Sequence, residues 1–137
     1  MKILYFSRSY TPHDHRFLNA LAETPHQVSF LQLEQPERRT EERMVPGGVK
    51  VVHWDGGTRS FRWRDVPALT RDLKRIIGEV KPDVIHAGPV QSAAYLAARS
   101  GFQPLLTMSW GSDLLMEADR NNWMRRITRY TLKRTTV

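Results

Sequence analysis

The chain contains no cysteine. That excludes disulfides, thiolate metal ligands and cysteine nucleophiles, and weakly favours a reducing compartment. No apolar run approaches the length of a membrane-spanning helix. The opening Met1-Lys2-Ile3-Leu4-Tyr5-Phe6 has too short an apolar stretch for a secretory signal and reads as a first strand. No Gly-x-Gly-x-x-Gly follows that strand, and no phosphate loop ending in Gly-Lys-Ser/Thr occurs, so dinucleotide and Walker-type sites lack support. Ser7-Arg8 stands where a receiver-type phosphoacceptor domain would need an acidic pair. Internal repeats and low-complexity segments are also missing.

What is present is a chain of 137 residues, 40% hydrophobic, with 21 Lys and Arg against 14 Asp and Glu, a formal net charge of +7. This length suits one globular domain that buries about two thirds of its unfolded surface. The charge implies affinity for something anionic: nucleic acid, membrane lipid or a phosphorylated substrate.

The chain is organised around Lys81-Pro82-Asp83-Val84-Ile85-His86-Ala87-Gly88-Pro89. Val84-Ile85 has no alternation, the mark of a short strand buried on both faces. Pro82 and Asp83 stop a helix before it. Pro89 suits a first helical turn, Val90, Ala93, Ala94, Ala97 and Ala98 have helical spacing, and Gly101 is placed to end the helix. Pro104-Leu105-Leu106-Thr107-Met108 gives a second strand running into Trp110-Gly111-Ser112-Asp113, so the unit is βαβ with two polar loops at its carboxyl ends, where open α/β sheets bind ligands.

Ile3 to Phe6, Val28 to Leu31 and Val49 to Val52 supply three further strands. A helix with Phe17, Leu18 and Leu21 precedes Pro25, and Glu34 to Gly48 reads as a mobile surface loop. Asp65 is placed to cap a helix with Pro67 in its first turn and Val66, Leu69, Leu73, Ile76, Ile77 and Val80 on one face. A last helix, about Asn121 to Leu132, turns Trp123, Ile127 and Tyr130 one way and Arg125, Arg126, Arg129 and Lys133 largely the other. Strand and helix alternate, so the fold class is α/β: one domain, a Rossmann-like parallel sheet with helices on both faces. Thr135-Thr136-Val137 reads as the start of another strand, which implies truncation near the carboxyl-terminal strand and an unpaired sheet edge open to self-association.

The loop after the first strand carries Arg8, Ser9, His13, Asp14, His15 and Arg16. A helix amino terminus and arginines hold phosphate or sugar hydroxyls, and His13 or His15 beside Asp14 can exchange protons. The alternative is a solvated loop with Asp14 capping the helix. A metal on His13 and His15 lacks an evident third ligand. His86 is expected to end its strand toward the same edge beside Gly88, though a lone histidine there is more often structural. In Trp110-Gly111-Ser112-Asp113 the glycine permits close backbone approach, Ser112 and Asp113 can receive sugar hydroxyls and the indole offers an apolar platform, or else Asp113 caps a turn. His15, His86 and Asp113 are expected to line one pocket. Trp54, Phe61 and Trp63 alternate with Arg59, Arg62 and Arg64, and with the basic final helix they suit either an anionic membrane surface or a solvated face.

Lys81 to Ala87, the alanine-rich helix after it, and Pro104-Leu105-Leu106-Thr107 leading to Gly111-Ser112-Asp113 resemble the amino-terminal half of family-4, or group 1, retaining glycosyltransferases of the GT-B fold. His13 to Ala22 followed by His26-Gln27-Val28 is similar to the first-helix and second-strand pattern of that family. The likeness spans almost the whole chain, and order and spacing carry it more than any single motif. It departs from the family where glycines are missing after the first strand and where Trp110 precedes Gly111 in place of histidine.

The resemblance implies the acceptor-side domain of a cytoplasmic glycosyltransferase, with the donor-binding domain absent, so that the fragment folds without turning over. It implies His15 and His86 as catalytic residues, with Arg8, Ser9, His13, Asp14, Arg16, Gly88, Trp110, Gly111, Ser112 and Asp113 binding substrate. No metal or resident cofactor is implied; a nucleotide sugar is co-substrate and a sugar or lipid-linked acceptor its partner. The basic stretches, apart from the resemblance, make an anionic membrane a further expected partner with a peripheral location on its inner face, whereas nucleic acid is disfavoured because no recognised module is present. The rival reading is a non-catalytic Rossmann-like module that binds anionic membrane or nucleic acid.

Overall fold

Ile3-Leu4-Tyr5-Phe6, the first apolar run, becomes the centre of a five-stranded sheet. In the computed structural model, which describes residues 1–34 and 40–137, the strands are β1 (Lys2–Ser7), β2 (Gln27–Gln32), β3 (Val49–Val52), β4 (Val84–Gly88) and β5 (Leu105–Thr107). All pair in parallel, in the order β3-β2-β1-β4-β5. The helices are α1 (Pro12–Ala22), α2 (Val66–Val80), α3 (Ala93–Ser100) and α4 (Asn122–Arg134). The fold is thus the expected Rossmann-like α/β sheet covered on both faces.

Alternate residues of the central strands feed two cores. Leu4, Phe6, Leu31, Ile85, Ala87 and Leu105 face α2, α3 and α4, meeting Leu69, Leu73, Ile76, Leu96 and Ile127. Tyr5, Val28 and Phe30 point the other way, toward Leu18 of α1, Tyr10 and Met108. The α2 stripe predicted from Val66, Leu69, Leu73 and Ile76 is buried as its spacing requires. In α3 every residue from Ala93 to Ala98 is buried, so it has no polar face, and Gly101 ends it in the left-handed conformation at φ +79°.

Several local expectations change. Helix α3 begins at Ala93 rather than Pro89, because residues 89–92 make a tight turn in which the Pro89 carbonyl accepts from Ser92 N (3.3 Å) and Ala94 N (3.2 Å). Asp65 precedes α2 without capping it; its carboxylate takes Arg62 Nε at 3.0 Å instead. The cap of α1 is reciprocal: Thr11 Oγ1 accepts from Asp14 N, and the Asp14 carboxylate accepts from Thr11 N at 2.8 Å. Part of the stretch expected to be a mobile loop, residues 35–39, lies outside the described residues. From Thr40 onward that stretch is held, with Thr40 N donating to Tyr10 O (3.1 Å) and the Tyr10 hydroxyl to Met44 O (3.1 Å).

The aromatic and arginine alternation from Trp54 to Arg64 is not one exposed surface. Trp54 is buried edge-on against Phe6 with its indole N–H on Gln32 O (2.9 Å), and Phe61 packs partly against the same core. Only Trp63 of the three aromatics is exposed. Beyond β5, Thr136 N donates to Leu105 O (2.7 Å) and Thr107 N to Val137 O (2.9 Å), so the sheet edge expected to be bare is partly met by the last residues.

Gly88 shows how tightly β4 and the strand beside it meet. A Cβ there would lie 2.7 Å from the Met108 carbonyl oxygen and 2.8 Å from Met108 Cβ, inside any real contact distance. Gly88→Ala should therefore lower stability by about 1–3 kcal/mol, the usual range for overpacking. An unchanged urea midpoint would show that the two backbones can part freely.

Candidate functional site

Strand order reverses direction between β1 and β4: β1 leads outward to β2, β4 outward to β5. Loops leaving these neighbours diverge and open a crevice at the carboxyl edge, the usual ligand position in open α/β sheets. A cavity of about 420 Å³ occupies it. Arg8 comes from the β1 loop, Pro89, Gln91 and Ser92 from the β4 loop, and Trp110, Ser112 and Asp113 from the β5 loop. Phe61, Trp63, Glu117, Arg120 and Met124 complete the wall.

Asp113 builds this wall. Its Oδ1 accepts from Ser109 Oγ (2.6 Å), Trp110 N (3.1 Å) and Leu114 N (3.1 Å), and its Oδ2 accepts from Val90 N (3.1 Å) in the opposite loop. Gln91 Nε2 donates to the Asp113 carbonyl (2.7 Å) and to Thr128 Oγ1 of α4 (2.8 Å). Asp113 is 4% exposed, so the carboxylate expected to receive a sugar hydroxyl is spent on holding the β4 and β5 loops together. Gly111 takes the left-handed conformation at φ +88°, which suits glycine, and leaves Ser112 exposed on the rim.

Arg8 is set from behind. Its guanidinium donates to Glu34 Oε1 (3.1 Å), which also accepts from Phe61 N (2.8 Å), so one buried carboxylate ties the β1 loop to the segment before α2. Two polar atoms in this wall have no hydrogen-bond partner among the described residues: Arg8 Nε and the hydroxyl of Ser92, a residue 3% exposed. Both residues line the cavity.

The remaining sequence candidates lie around α1. His13 is exposed and stacks on Trp110, with centroids 5.1 Å apart and planes 25° from parallel. It therefore covers one face of the indole expected to be an open platform. Asp14 is fully buried and also accepts from the Tyr5 hydroxyl (3.0 Å), whose pKa is pushed far up by burial and then by the neighbouring carboxylate charge. Its place at the third helical position turned it inward, so the capping alternative is the geometry found. His15 is half-buried with Nδ1 2.8 Å from the Tyr10 hydroxyl oxygen, which also lies 3.1 Å from Met44 O. Arg16 is exposed on α1, and Ser9 is half-buried beside Arg8.

His86 does not end its strand. It sits in the middle of β4, between Tyr5 and Leu106 in register, edge-on to Tyr5 (5.3 Å) and Phe17 (6.0 Å). Burial pushes its pKa below the ordinary histidine value. Neither His15 nor His86 lines the cavity that holds Asp113. The expected common pocket fails because β4 presents His86 to the α1 face, while the polar loops gather around Arg8 and Ser92. No three His, Asp or Glu side chains among the described residues stand close enough to share a metal ion.

Sequence reasoning named Arg8, Trp110, Ser112 and Asp113 among the cavity residues and missed the others, Ser92, Gln91, Trp63 and Arg120 among them. A serine just before an alanine run is a helix-start signal, and placing that start at Pro89 hid it. A second cavity, about 400 Å³, lies beside α2, but its Arg59 and Arg75 are paired with Asp65 (3.9 Å) and Asp72 (2.8 Å).

A sequence model for one protein family, described as glycosyl transferase 4-like, matches residues 2–137. No curated protein matches the chain.

Two outcomes test this geometry. Asp113→Ala strips four donors of a shared acceptor and should cost about 1.5–3 kcal/mol or more in urea unfolding, the range for a hydrogen bond to a charged group. A neutral effect would mean that solvent replaces the carboxylate. For His86, the unfolded ring takes a proton near pH ~6.5, whereas the folded ring takes it only at lower pH. Stability present above that value is therefore lost as pH falls through it, and His86→Phe should flatten this fall relative to the parent protein.

Proposed function

The chain belongs to the glycosyl transferase 4-like family, and from that premise we propose that the crevice between β1 and β4 holds the acceptor of a sugar transferred from a nucleotide sugar, with retention at the anomeric carbon. The observation that carries this reading is the cavity itself, which combines aromatic walls with two unpartnered polar groups at the switch point of the sheet. Sugar rings have apolar C–H faces and polar rims. Trp63 and Trp110 offer the first a surface, and Ser92 Oγ and Arg8 Nε offer the second its hydrogen bonds.

Arg8 is held by Glu34, so it supplies direction more than net charge. Arg120 is likewise balanced by Glu117 (3.3 Å) at the outer wall. His13, stacked on Trp110, is the exposed imidazole nearest this loop cluster and is the candidate to accept a proton from the acceptor hydroxyl. His86 takes a positioning role: it supports Phe17, whose ring also leans on Trp110 at 6.0 Å.

In the two-domain architecture implied by the resemblance, the donor diphosphate is held across the cleft, and catalysis needs both reactants oriented together. Residues 1–137 alone are then expected to bind acceptor without transferring sugar. A non-catalytic module would bind no acceptor in either form.

The test is Ser92→Ala. Its hydroxyl has no partner to lose among the described residues, so the unfolding free energy should not fall, and should rise by up to about 1–3 kcal/mol, the cost of an unsatisfied buried group. In a form carrying both domains, the acceptor KM should rise about fivefold or more, one hydrogen bond's worth, with the donor KM unchanged. Product is read by mass spectrometry; equal KM values for both proteins would remove Ser92 from the acceptor site.

A further inference from the structure

Two of the four tryptophans, Trp63 and Trp123, are 37% and 51% exposed, and they meet each other. Their rings stand 5.8 Å apart with planes 88° from parallel, so the two indoles form a right-angled corner. Other rings fix it from behind. Phe61 (5.1 Å) and Tyr95 (5.9 Å) pack edge-on with Trp63, and the buried Tyr95 is in turn backed by Tyr130 (5.6 Å). These side chains come from the segment before α2, from α3 and from α4, so the packing of three elements sets the ring angles. Trp63 and Phe61 also line the crevice cavity, as does Met124, the residue after Trp123. The corner therefore continues the cavity wall outward, with Trp63 common to both. Most of the charge near it is already engaged. Arg59 (3.9 Å) and Arg62 (3.0 Å) share Asp65, Arg120 pairs with Glu117 (3.3 Å), and the Arg134 guanidinium lies 3.8 Å over the Tyr130 ring. Of the arginines on the strip from Arg59 to Asp65, Arg64 alone has no ion-pair partner among the described residues.

We propose that this corner is an outer subsite for the second sugar of the acceptor, which is then an oligosaccharide: its reacting end sits in the cavity and its next ring rests on Trp63 and Trp123. The inference rests on the acceptor reading of the cavity and deepens it. Exposed apolar surface with a polar rim marks a binding site, and indole faces suit the C–H faces of pyranose rings. Continuity selects this occupant, because a glycan leaving the cavity past Trp63 meets Trp123 next. Successive rings along a glycan are turned relative to one another, so they can use two aromatic surfaces set at an angle. The same right angle leaves no slot between parallel rings for a nucleobase. Nucleic acid also needs unpaired cations along its phosphates, and this strip offers one. A second copy would bring a chain of net charge +7 against another of the same sign.

The experiment measures binding of the chain to glycans of the gluco, galacto, manno and N-acetylhexosamine series, each from monosaccharide to hexasaccharide. The variants are Trp123→Leu and Trp123→Phe at the corner and Ser92→Ala in the cavity. Trp123 is exposed, so unchanged circular dichroism and melting temperature verify the fold of its variants. In the series that binds, the disaccharide and longer members should bind about fivefold or more tighter than the monosaccharide, the worth of one aromatic contact. Trp123→Leu should abolish that gain and leave monosaccharide affinity unchanged, Trp123→Phe should keep most of it, and Ser92→Ala should weaken every member alike. The indole N–H resonances of Trp63 and Trp123 should shift with the disaccharide, while that of Trp54, buried on Gln32 O, stays in place. Equal affinity at every length, or a gain that survives Trp123→Leu, overturns the outer subsite; monosaccharide binding weakened by Ser92→Ala would then still uphold the acceptor reading. Binding to no member of any series overturns both. A dimer in solution that Trp123→Leu dissociates, or tighter binding to single-stranded DNA that Trp123→Leu weakens, also overturns the outer subsite.

Discussion

The carboxylate of Asp113 is the constraint on which the candidate site depends. Parallel sheets leave their carboxyl-edge loops without ladder partners, so something else must satisfy the backbone there. Asp113 does this from one point, taking Val90 N from the β4 loop and Trp110 N and Leu114 N from its own. Gln91 extends the tether to Thr128, so α4 is fixed to the same centre. Together these bonds hold open a cavity that the loops would otherwise be free to fill.

The sheet and its two-sided covering were legible because they rest on periodicity. Val84-Ile85 and Ile3 to Phe6 announce buried parallel strands, and the α2 stripe and Gly101 announce helices and their ends. The site was legible only as a neighbourhood. Arg8, Trp110, Ser112 and Asp113 do meet at one cavity, yet Asp113 and Asp14 point inward as structural acceptors. Most donors to these carboxylates are local, as the capping alternatives for Asp14 and Asp113 supposed, but the bonds that complete their burial come from other elements, Val90 for Asp113 and Tyr5 for Asp14. His86 was misplaced for a related reason: Ala87 and Gly88 extend β4 beyond the point where its β-branched residues end.

The bare hydroxyl of Ser92 contrasts with this satisfied surround. An unpaired buried polar atom costs about 1–3 kcal/mol, and alanine at that place would avoid the cost. Neighbouring Thr128 and Thr131 show the usual remedy in this protein, each hydroxyl donating to a carbonyl one turn earlier. Ser92 stands before the first turn of α3 and has no such carbonyl in reach, so its bonding capacity is available to whatever enters the cavity.

Helix α4 joins the cavity wall to the outside of the fold. Thr128 on its inner side holds Gln91 at the cavity wall, and the next residue, Arg129, lies on the basic outer side. A helix with its side chains is about 10–12 Å across, so the two surfaces are separated by little more than that thickness. Because α4 is pinned to Gln91, and through it to Asp113, a change in its angle to the cavity would break the tether that forms the wall.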